Sequence, residues 1–451
     1  MRMMTTHTAA AATGGVVRGA ALEFARVTTD SRQIKTGDLF VALRGEHFDG
    51  HLFAQAALDA GAVAVMIDAA ASGDISPAIV VSDTRLALGQ LAAYWRQQMP
   101  ARIIAITGSN GKTSVKEMLA AILRTAVGKD AVLATPGNFN NNIGMPLTLL
   151  ALNPTHQYGV IEMGMNHAGE LAYLTRLACP DVALINNAGT AHIGMLGSVA
   201  AIAAAKGEIL AGCNEQGIVV INADDTYAPL WRQLAGAHRV LGFGLNIGAD
   251  LQGGYTAYGA YSDMRIHGLG AELTLRLPVA GKHNVMNALA AVSAAWALGV
   301  PAEAISAGLQ NYQGIYGRLQ HKSGRNGALL IDDSYNANPD SMRAAIMVLA
   351  ALAGTRLLVL GDMGELGDDA AAAHAEIGAF AKQAGIEGLY TLGELSRQAA
   401  AAFGNGARHF DDRDALQTDL LPRLGPGVTV LVKGSRFMQM ERVVEVLEEP
   451  S

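Results

Sequence analysis

The sequence predicts an α/β protein of three domains, and three observations support this prediction. The chain has 451 residues, more than one ordinary domain holds. Short apolar segments of strand character alternate with helical segments along most of its length. The alternation breaks near Pro100 and changes again after the segment GIYGRLQ. We therefore expect domains at residues 1–98, 99–314 and 315–451.

The predicted N-terminal domain is a small α/β unit. Three segments, DLFVAL, AVAVMI and AIVV, have the apolar composition of buried strands, and the helix-like AQAALDAG separates the first two. A longer helical segment, TRLALGQLAAYWRQQ, leads to the break at Pro100.

The predicted central domain is the largest of the three. Its strands RIIAITG, YGVIEMG, VALINNAG and GIVVINADD indicate a parallel sheet covered on both faces. Within residues 238–279, MRIHG and AELTLRLPV alternate in polarity, which predicts an antiparallel extension. Two helices follow, HNVMNALAAVSAAWALG and PAEAISAGLQ, and Pro301 is expected in the first turn of the second.

The predicted C-terminal domain is another doubly wound unit, of Rossmann-like type. Its strands are GALLIDDSYNANP, TRLLVLGDM, GLYTLG and VTVLVKGSR, with helical segments between them.

Composition and charge restrict the classes of partner. The formal net charge of −7 provides no general attraction for nucleic acid or anionic membranes, so small-molecule partners are expected. The longest apolar runs are about half of the roughly 20 residues that a membrane-spanning helix needs. The two cysteines, Cys179 and Cys213, are too few for a disulfide framework. Together with the absence of a secretory signal pattern, they favour a cytoplasmic protein without membrane insertion.

The stretch ITGSNGKTS, from Ile106 to Ser114, lies between the strand RIIAI and an amphipathic helix. Free backbone N–H groups and the positive end of a helix dipole favour phosphate at such a place. Lys112 is predicted to reach the β- and γ-phosphates, and the Thr113 hydroxyl to ligate Mg²⁺. An ordinary strand-to-helix turn is the alternative. The predicted phosphate-binding residues are Gly108, Ser109, Asn110, Gly111, Lys112, Thr113 and Ser114.

The spacing of this loop is unusual. The common nucleotide-binding pattern has a glycine five positions before Gly111, where Ile106 stands instead. The spacing therefore argues against most P-loop families.

Further polar residues follow the predicted central strands. The loop GNFNNNIG contains Asn138, Asn140 and Asn141, which could be turn formers or ligand contacts. Glu162 ends one predicted strand, and His192 follows another, at the edge where parallel sheets bind ligands. A cap or ion pair for the glutamate, and a structural hydrogen bond for the histidine, are the alternatives.

Three residues in predicted helices also have plain structural interpretations. Lys206, in the Ala-rich segment AIAAAKGEIL, could be a solvated surface lysine. Asn284 and Asn287, in GKHNVMNALAA, could recognise an adenine edge, although capping is an equally plain use for one of them.

GSNGKTS resembles the shortened GxxGK[ST] loop of the Mur ligases and folylpolyglutamate synthetases, which are ATP-dependent, amide-forming enzymes. The resemblance implies that Glu162 and His192 are metal-associated and that Lys206 is carbamylated and ligates a second Mg²⁺. Lys112, Glu162, His192 and Lys206 would be the catalytic set. It also implies ATP contacts from Asn284, Asn287, Arg318 and Asp333, with the C-terminal domain closing over ATP.

Motifs in the N-terminal and C-terminal domains indicate which members of the family the chain resembles most. TTDSR, with Asp30, Ser31 and Arg32, resembles the uridine-nucleotide domain of Mur ligases that take longer peptides, although a turn with a surface arginine is the alternative. DDSYNANPDSM, LGDMGELG and VKGSRFMQMERVV are similar to segments of the member that adds D-alanyl-D-alanine. The Asp-Asn-Pro-Arg motif of the member that adds the third amino acid is absent.

The resemblance thus implies a ligase whose substrates are UDP-N-acetylmuramoyl-tripeptide, D-Ala-D-Ala and ATP, acting through an acyl phosphate. The implied substrate-binding residues are Asp30, Ser31, Arg32, Asn138, Asn140, Asn141, Tyr335, Asn336, Asn338, Lys433 and Arg436. A monomer is expected. The third residue of the tripeptide, and whether KGSR binds the dipeptide carboxylate or only ends a strand, stay open. So do a related ligase of different peptide specificity and a nucleotide switch that forms no bond.

Overall fold

The computed structural model describes residues 3–71, 73–191, 193–268 and 270–449. The described helices and strands form three main sheets, so the predicted three-part α/β architecture is confirmed. None of the helices in these ranges combines the length and apolar character that a membrane crossing requires.

The N-terminal sheet has five strands in the order β2-β7-β6-β5-β4. β2 is antiparallel to β7, and the other pairs are parallel. A separate antiparallel pair, β1 and β3, lies at the start of the chain. The elements are β1 (Met4–Thr5), α1 (Thr6–Thr13), β2 (Val16–Arg18), β3 (Glu23–Phe24), β4 (Arg26–Thr28), β5 (Asp38–Val41), α2 (Ala54–Asp59), β6 (Ala64–Asp68), β7 (Ala78–Val81) and α3 (Thr84–Gln97).

The central sheet has nine strands in the order β16-β15-β14-β13-β12-β11-β8-β10-β9. Its elements are β8 (Arg102–Thr107), α4 (Lys112–Val127), β9 (Val132–Ala134), α5 (Gly144–Leu150), β10 (Tyr158–Glu162), α6 (Glu170–Ala178), β11 (Val182–Ile185), α7 (Ile193–Leu196), α8 (Val199–Gly207), β12 (Ile218–Asn222), α9 (Ala228–Leu234), β13 (Arg239–Gly244), β14 (Leu251–Tyr258), β15 (Tyr261–Gly268), β16 (Ala271–Leu277), α10 (Lys282–Ala297) and α11 (Ala302–Gln310).

The strands of the central sheet from β8 to β14 pair in parallel, and β14, β15 and β16 form the predicted antiparallel extension. The prediction for Pro301 was wrong in detail, because this residue caps α11 from outside instead of lying in its first turn. Its ring supplies the φ that a helix entry needs, and its missing N–H leaves no donor unsatisfied there.

The C-terminal sheet has six strands in the order β17-β18-β22-β19-β20-β21, parallel except for β17. Its elements are β17 (Gln320–Ser323), β18 (Leu329–Asp333), α12 (Pro339–Ala350), β19 (Thr355–Gly361), α13 (Ala370–Gln383), β20 (Gly388–Leu392), α14 (Ser396–Phe403), β21 (Ala407–Phe410), α15 (Arg413–Leu420), β22 (Val428–Lys433) and α16 (Glu441–Leu447).

The cores follow the alternation of side chains along each strand. In β8, Ile103 and Ala105 join a cluster that continues into the N-terminal sheet, whereas Ile104 and Ile106 join a second cluster under α4 and α10. Both faces of β8 are therefore covered, as its uninterrupted apolar sequence predicts. Burial on both faces leaves only the strand ends available for polar groups.

Candidate active site

The predicted phosphate loop leaves the sheet between β8 and α4. β8 pairs with β10 on one side and β11 on the other, so the loop lies where the chain order of the strands reverses. Ligands of open α/β sheets bind at such reversals, outside the carboxyl ends of the strands. Lys112 opens α4, and no side chain caps that helix end. The first N–H groups of α4 are consequently available to an anion.

Two asparagines after β11, which the sequence analysis did not select, hold the loop in shape. Asn187 accepts from the Asn110 N–H at 2.9 Å, and its own carbonyl accepts from the Ser109 N–H at 3.0 Å. The Asn186 side-chain amide donates to the Asn110 carbonyl at 3.0 Å. The available signal was the Asn-Asn pair that ends the buried segment VALINNAG.

The Lys112 ammonium lies over the loop and donates to the Gly108 carbonyl at 2.7 Å. Burial lowers the pKa of Lys112, the Glu162 carboxylate opposes this shift, and the Arg318 cation adds to it. The Glu365 carboxylate also opposes the shift, so two carboxylates and two cations, Lys112 and Arg318, lie near one another at the loop. That arrangement is suited to holding an anionic ligand together with a counter-charge.

Glu162 ends β10 and is 2% exposed. Its Oε1 accepts from the Asn140 side chain at 2.8 Å, and its backbone N–H donates to Thr135 Oγ1 at 2.9 Å. Its Oε2 is buried and has no hydrogen-bond partner among the described residues. A buried carboxylate oxygen without a donor is the kind of ligand that Mg²⁺ takes.

The asparagines of GNFNNNIG separate into different roles. Asn140 contacts Glu162, whereas Asn141 Oδ1 accepts from the N–H groups of Ile143 and Gly144, at 3.1 and 2.9 Å, at the start of α5. Asn138 is exposed, and its carbonyl accepts from the Asn140 N–H at 2.7 Å. Asn141 thus acts as a turn former, and Asn140 is the member of the loop that faces the candidate site.

Lys206, near the end of α8, is only 1% exposed, which excludes the solvated-lysine interpretation. Burial lowers the pKa of Lys206 well below its ordinary value, and the charge of Lys112 lowers it further. A neutral amine is therefore more accessible at this position than at a surface lysine. His192, the other residue predicted on this side, lies outside the described residues.

Asn284 and Asn287 differ in their surroundings, although both are buried in α10. Asn284 donates to the Ala280 carbonyl at 2.7 Å, a local contact near the helix start. Asn287 Oδ1 accepts from the Asn186 side chain at 2.9 Å, directly behind Gly111. Asn287 is therefore joined to the phosphate loop, whereas Asn284 donates to the backbone just before α10 and does not cap the helix start, where Gly281 is the capping residue.

The C-terminal domain contacts the phosphate loop directly. Arg318 donates to the Thr113 hydroxyl at 3.3 Å, and its buried Nε has no hydrogen-bond partner in the described part of the chain. The Asn338 side chain, which also caps α12, donates to Asn110 Oδ1 at 2.8 Å. Both predicted residues thus meet a loop more than 200 positions earlier in the sequence, at separations of 205 and 228 residues.

A third contact between these domains was missed at the sequence level. Both the N–H and the hydroxyl of Thr190 donate to Asp340 Oδ2, at 2.8 and 2.9 Å. Asp340 lies in the first turn of α12. The three contacts together hold the C-terminal domain against the loop side of the central sheet.

Residues predicted to bind substrate in the C-terminal domain form a paired cluster. Lys433 is 3% exposed, and its ammonium lies 2.7 Å from Asp333 Oδ2 and donates to the Asn336 carbonyl at 2.7 Å. The Arg318 guanidinium stacks over Tyr335, 4.4 Å from the ring centroid. The charge of Lys433 is thus already balanced by Asp333. Arg436 lies 2.8 Å from Glu441 and is more exposed.

In the N-terminal domain, Asp30 and Arg32 form a local pair around the short helical turn Ser31–Gln33. Arg32 Nε donates to Asp30 Oδ1 at 2.8 Å, and hydrogen bonds from Arg32 lower the pKa of Asp30 to about 2. The Arg32 side chain is 86% exposed. The predicted surface arginine and turn are present, and both charges stay accessible to a ligand.

The oxygen donors of the site suit a metal ion that is only partly coordinated by protein. Within the ranges that the structure describes, no three His, Cys, Asp or Glu side chains converge. The orphaned Glu162 Oε2, with the Thr113 hydroxyl on the neighbouring loop, fits a Mg²⁺ whose remaining ligands come from phosphate and water. The residues present thus fit a nucleotide-bound metal better than a metal cage made by protein alone.

Three family models cover most of the chain. The Mur ligase family catalytic domain matches residues 23–96, the Mur ligase middle domain matches 106–295, and the Mur ligase glutamate ligase domain matches 317–436. The matched segments follow one another in the order of the three sheets.

Individual relatives are similar over nearly the full length. UDP-N-acetylmuramoyl-tripeptide–D-alanyl-D-alanine ligase of Escherichia coli K12 is 44% identical, with 96% of each chain covered. A crystal structure of MurF from Acinetobacter baumannii superimposes with a TM-score of 0.92 at 36% identity, covering 99% of both chains. MurF of Thermotoga maritima in complex with ADP gives a TM-score of 0.85 at 28% identity, covering 94% of this chain and 96% of that one.

Proposed function

The chain belongs to the Mur ligase family, and from this premise we propose that it joins D-alanyl-D-alanine to UDP-N-acetylmuramoyl-tripeptide at the expense of ATP. The products are UDP-N-acetylmuramoyl-pentapeptide, ADP and phosphate, so the reaction belongs to peptidoglycan precursor synthesis. The proposal rests on the similarity, over 96% of the chain, to a relative named UDP-N-acetylmuramoyl-tripeptide–D-alanyl-D-alanine ligase. ATP as the energy source is supported by the ADP complex of the Thermotoga maritima relative.

The domains are proposed to divide the work. Residues 1–98 would bind the uridine nucleotide, with Asp30, Ser31 and Arg32 at the ligand. Residues 99–314 would bind ATP, and residues 315–451 would deliver the dipeptide and close over ATP. The hydrogen bonds from Arg318 and Asn338 to the phosphate loop support the closing role.

The chemistry begins with a carboxylate, which is a poor electrophile and must be activated. A terminal carboxylate oxygen of the tripeptide would attack the γ-phosphorus, and the bond to the β,γ-bridging oxygen would break, giving an acyl phosphate and ADP. The α4 N–H groups and the Lys112 ammonium would hold the phosphates and stabilise the developing charge. Arg318, whose Nε has no partner among the described residues, would add a donor from the opposite domain.

The second step forms the peptide bond. The free amine of D-Ala-D-Ala would attack the acyl carbon and lose a proton, and the resulting tetrahedral intermediate would expel phosphate with the original carboxylate oxygen. A closed C-terminal domain would exclude water that could hydrolyse the acyl phosphate. Tyr335, Asn336 and Arg436 remain the candidates for dipeptide binding. Lys433 would act indirectly by holding Asp333 and the Asn336 carbonyl.

Mg²⁺ is proposed at two positions: Thr113 and Glu162 would hold one ion, and His192 with a carbamylated Lys206 would hold the other. When bound, the metal supplies positive charge that neutralises the phosphate oxygens. The orphaned Oε2 of Glu162 supports the first position. The low pKa of buried Lys206 supports the second, since only a neutral amine can capture CO₂, releasing one proton as the carbamate forms.

Carbamylation has a direct spectroscopic test. Protein equilibrated with ¹³C-bicarbonate is expected to show one carbamate resonance that disappears in Lys206→Ala and persists in Lys382→Ala. The Lys382 ammonium bonds an exposed loop carbonyl, so it serves as the matched lysine. A resonance that survives Lys206→Ala would exclude Lys206 as its source.

The ligase reaction is tested by following ADP while the two substrates are varied separately. ADP release is expected only when both UDP-muramoyl tripeptide and D-Ala-D-Ala are present, and ¹⁸O from the tripeptide carboxylate is expected in the released phosphate. ADP release without the dipeptide would indicate a nucleotide switch. Absence of ¹⁸O from phosphate would exclude the acyl phosphate. The same substrate panel, with lysine or diaminopimelate at the third position, identifies the tripeptide.

Two further properties are part of the proposal. The protein is proposed to be a cytoplasmic monomer, in keeping with its small-molecule substrates. Sedimentation of the purified chain at about 46.9 kDa would support the monomer.

A further inference from the structure

Lys116 lies one helical turn after Lys112 on α4 and is almost completely buried, with a side chain 1% exposed. Neighbouring residues of the same helix, Val115 and Leu119, are apolar core residues. An ammonium group is seldom buried unless its charge is balanced and its protons are bonded. Lys116 is therefore expected to bind specific carbonyl and carboxylate groups in the interior.

The contacts of the ammonium identify what it holds. Lys116 Nζ donates to the Thr135 carbonyl at 2.8 Å and to the Gly137 carbonyl at 3.5 Å. It lies 3.1 Å from Glu117 Oε1 and 3.9 Å from Glu162 Oε2. One buried cation thus joins the loop after β9 to the carboxylate that ends β10.

The same loop holds Glu162 from two further directions. Thr135 Oγ1 accepts from the Glu162 N–H at 2.9 Å, and Asn140 donates to Glu162 Oε1 at 2.8 Å. The loop is in turn tied to the strand end, because the Asn140 carbonyl accepts from the Gly164 N–H at 2.8 Å. Within the described part of the chain, the carboxylate is therefore hydrogen-bonded at Oε1, and Oε2 is left without a donor.

We propose that Lys116 is a positioning residue, which fixes the Thr135–Asn140 loop and balances the charge of Glu162 while leaving Oε2 free to bind the nucleotide's divalent cation. The distance of 3.9 Å is short enough for strong attraction in a buried site but too long for a hydrogen bond that would occupy Oε2. The inference rests on the proposed ATP-dependent function for its metal, although it does not depend on which peptide is joined.

The test compares Lys116→Met with Glu117→Gln. Methionine keeps the length and volume of the chain in an apolar helix face but removes the charge. Glu117 lies 3.1 Å from the same ammonium and is partly exposed, so it is the matched control for losing an ion-pair partner of Lys116. Calorimetric titration with ADP, in EDTA and in Mg²⁺, measures the gain in affinity that the metal confers.

Lys116→Met is expected to bind ADP in EDTA as the wild type does, and to lose about tenfold or more of the Mg²⁺-dependent gain. Glu117→Gln is expected to retain that gain. In turnover, kcat of Lys116→Met should fall while KM for the dipeptide changes little. An unchanged Mg²⁺ gain in Lys116→Met, or an equal loss in Glu117→Gln, contradicts the proposal.

Lys116→Gln is a second variant for the case that Lys116→Met does not fold. Its amide can still donate to the Thr135 carbonyl. The glutamine variant is expected to fold and to show the same loss of metal-dependent affinity. If both variants fail to fold, Lys116 serves the stability of the domain and the proposal is wrong. The titration uses only ADP and Mg²⁺. It therefore tests the role of Lys116 even if the protein does not join the dipeptide to the tripeptide.

Discussion

Gly111 shows how much of the phosphate loop depends on a single residue. It adopts φ of +79°, and a Cβ at this position would overlap Asn287 Oδ1 and lie 2.6 Å from Asn186 Nδ2. A side chain would therefore displace both asparagines, in addition to straining the backbone. The close approach of Asn186 and Asn287 requires glycine here.

Gly111→Ala is expected to weaken ADP binding at least about tenfold, because the loop loses its support from Asn186. Gly128→Ala is the matched control at the other end of α4. Gly128 also has a positive φ, +93°, but no atom of the described residues lies within 4 Å of where its Cβ would stand. The control should lose stability while keeping ADP affinity, measured by calorimetry. Equal loss of affinity in both variants would contradict the packing argument.

His283, next to Asn284 in α10, is expected to make stability depend on pH. Burial lowers the pKa of His283 to about 4; Asp333 opposes the shift, and Lys433 adds to it. Since the unfolded state has the higher pKa, near 6.5, it binds more protons between about pH 4 and 6.5, and stability falls as the pH drops through that window.

The wild type should therefore lose on the order of 2 kcal/mol of unfolding free energy between about pH 7 and pH 4.5 from this histidine alone. His283→Gln should remove that part of the pH dependence. Urea unfolding at the two pH values measures both. An identical pH dependence in the variant and the wild type would show that His283 is not the responsible group.

At the scale of elements, α3 connects the N-terminal sheet to the central one. Trp95 Nε1 donates to the Leu152 carbonyl at 2.9 Å, and Arg96 donates to the Ala178 carbonyl at 3.0 Å. Trp95 also belongs to the apolar cluster shared by both sheets. The helix that the sequence placed at the end of the first domain thus packs on α5 and α6 of the second.

Trp95→Ala is expected to cost about 3–5 kcal/mol of unfolding free energy, since it removes a large buried side chain and leaves the Leu152 carbonyl without its donor. Trp95→Phe, which retains most of the volume, should cost distinctly less. Urea denaturation of both variants tests this. If alanine and phenylalanine have the same effect, packing between the domains is not what Trp95 provides.

At the scale of the whole molecule, the proposed closure of the C-terminal domain involves polar contacts between the two larger domains. The pair of hydrogen bonds from Thr190 to Asp340 joins the region after β11 to the start of α12. Gly194 also donates to the Glu365 carbonyl, at 3.3 Å. Hydrogen bonds of this kind can break and form during a catalytic cycle.

Asp340→Ala should favour the open arrangement and lower kcat by about tenfold, since two hydrogen bonds to a charged acceptor are lost. Asp414→Ala is the matched control, because Asp414 occupies the first turn of α15 and is exposed. Small-angle scattering with ADP should show a larger radius of gyration only for Asp340→Ala. Normal turnover in that variant would exclude a role in closure.

The candidate site was predictable to different extents. The phosphate loop and the strand-end position of Glu162 could be predicted from local patterns, whereas Arg318 and Lys206 were selected through the resemblance to the Mur ligases. The burial of Lys206 and Lys116 could not be predicted, since it depends on which helix face meets the sheet. Asn186, Asn187, Thr190 and Asp340 were missed because they bind parts of the chain distant in sequence.

The sequence by itself determined the α/β class, the order of the strands and helices, the phosphate loop and the resemblance to the Mur ligases. These depend on hydrophobic periodicity and on residues close together along the chain. Only the tertiary structure decided that Lys116 bonds Thr135, that Asn338 reaches Asn110 and that Lys433 is neutralised by Asp333. Such contacts depend on strand order and domain packing, which bring together side chains that no local sequence pattern connects.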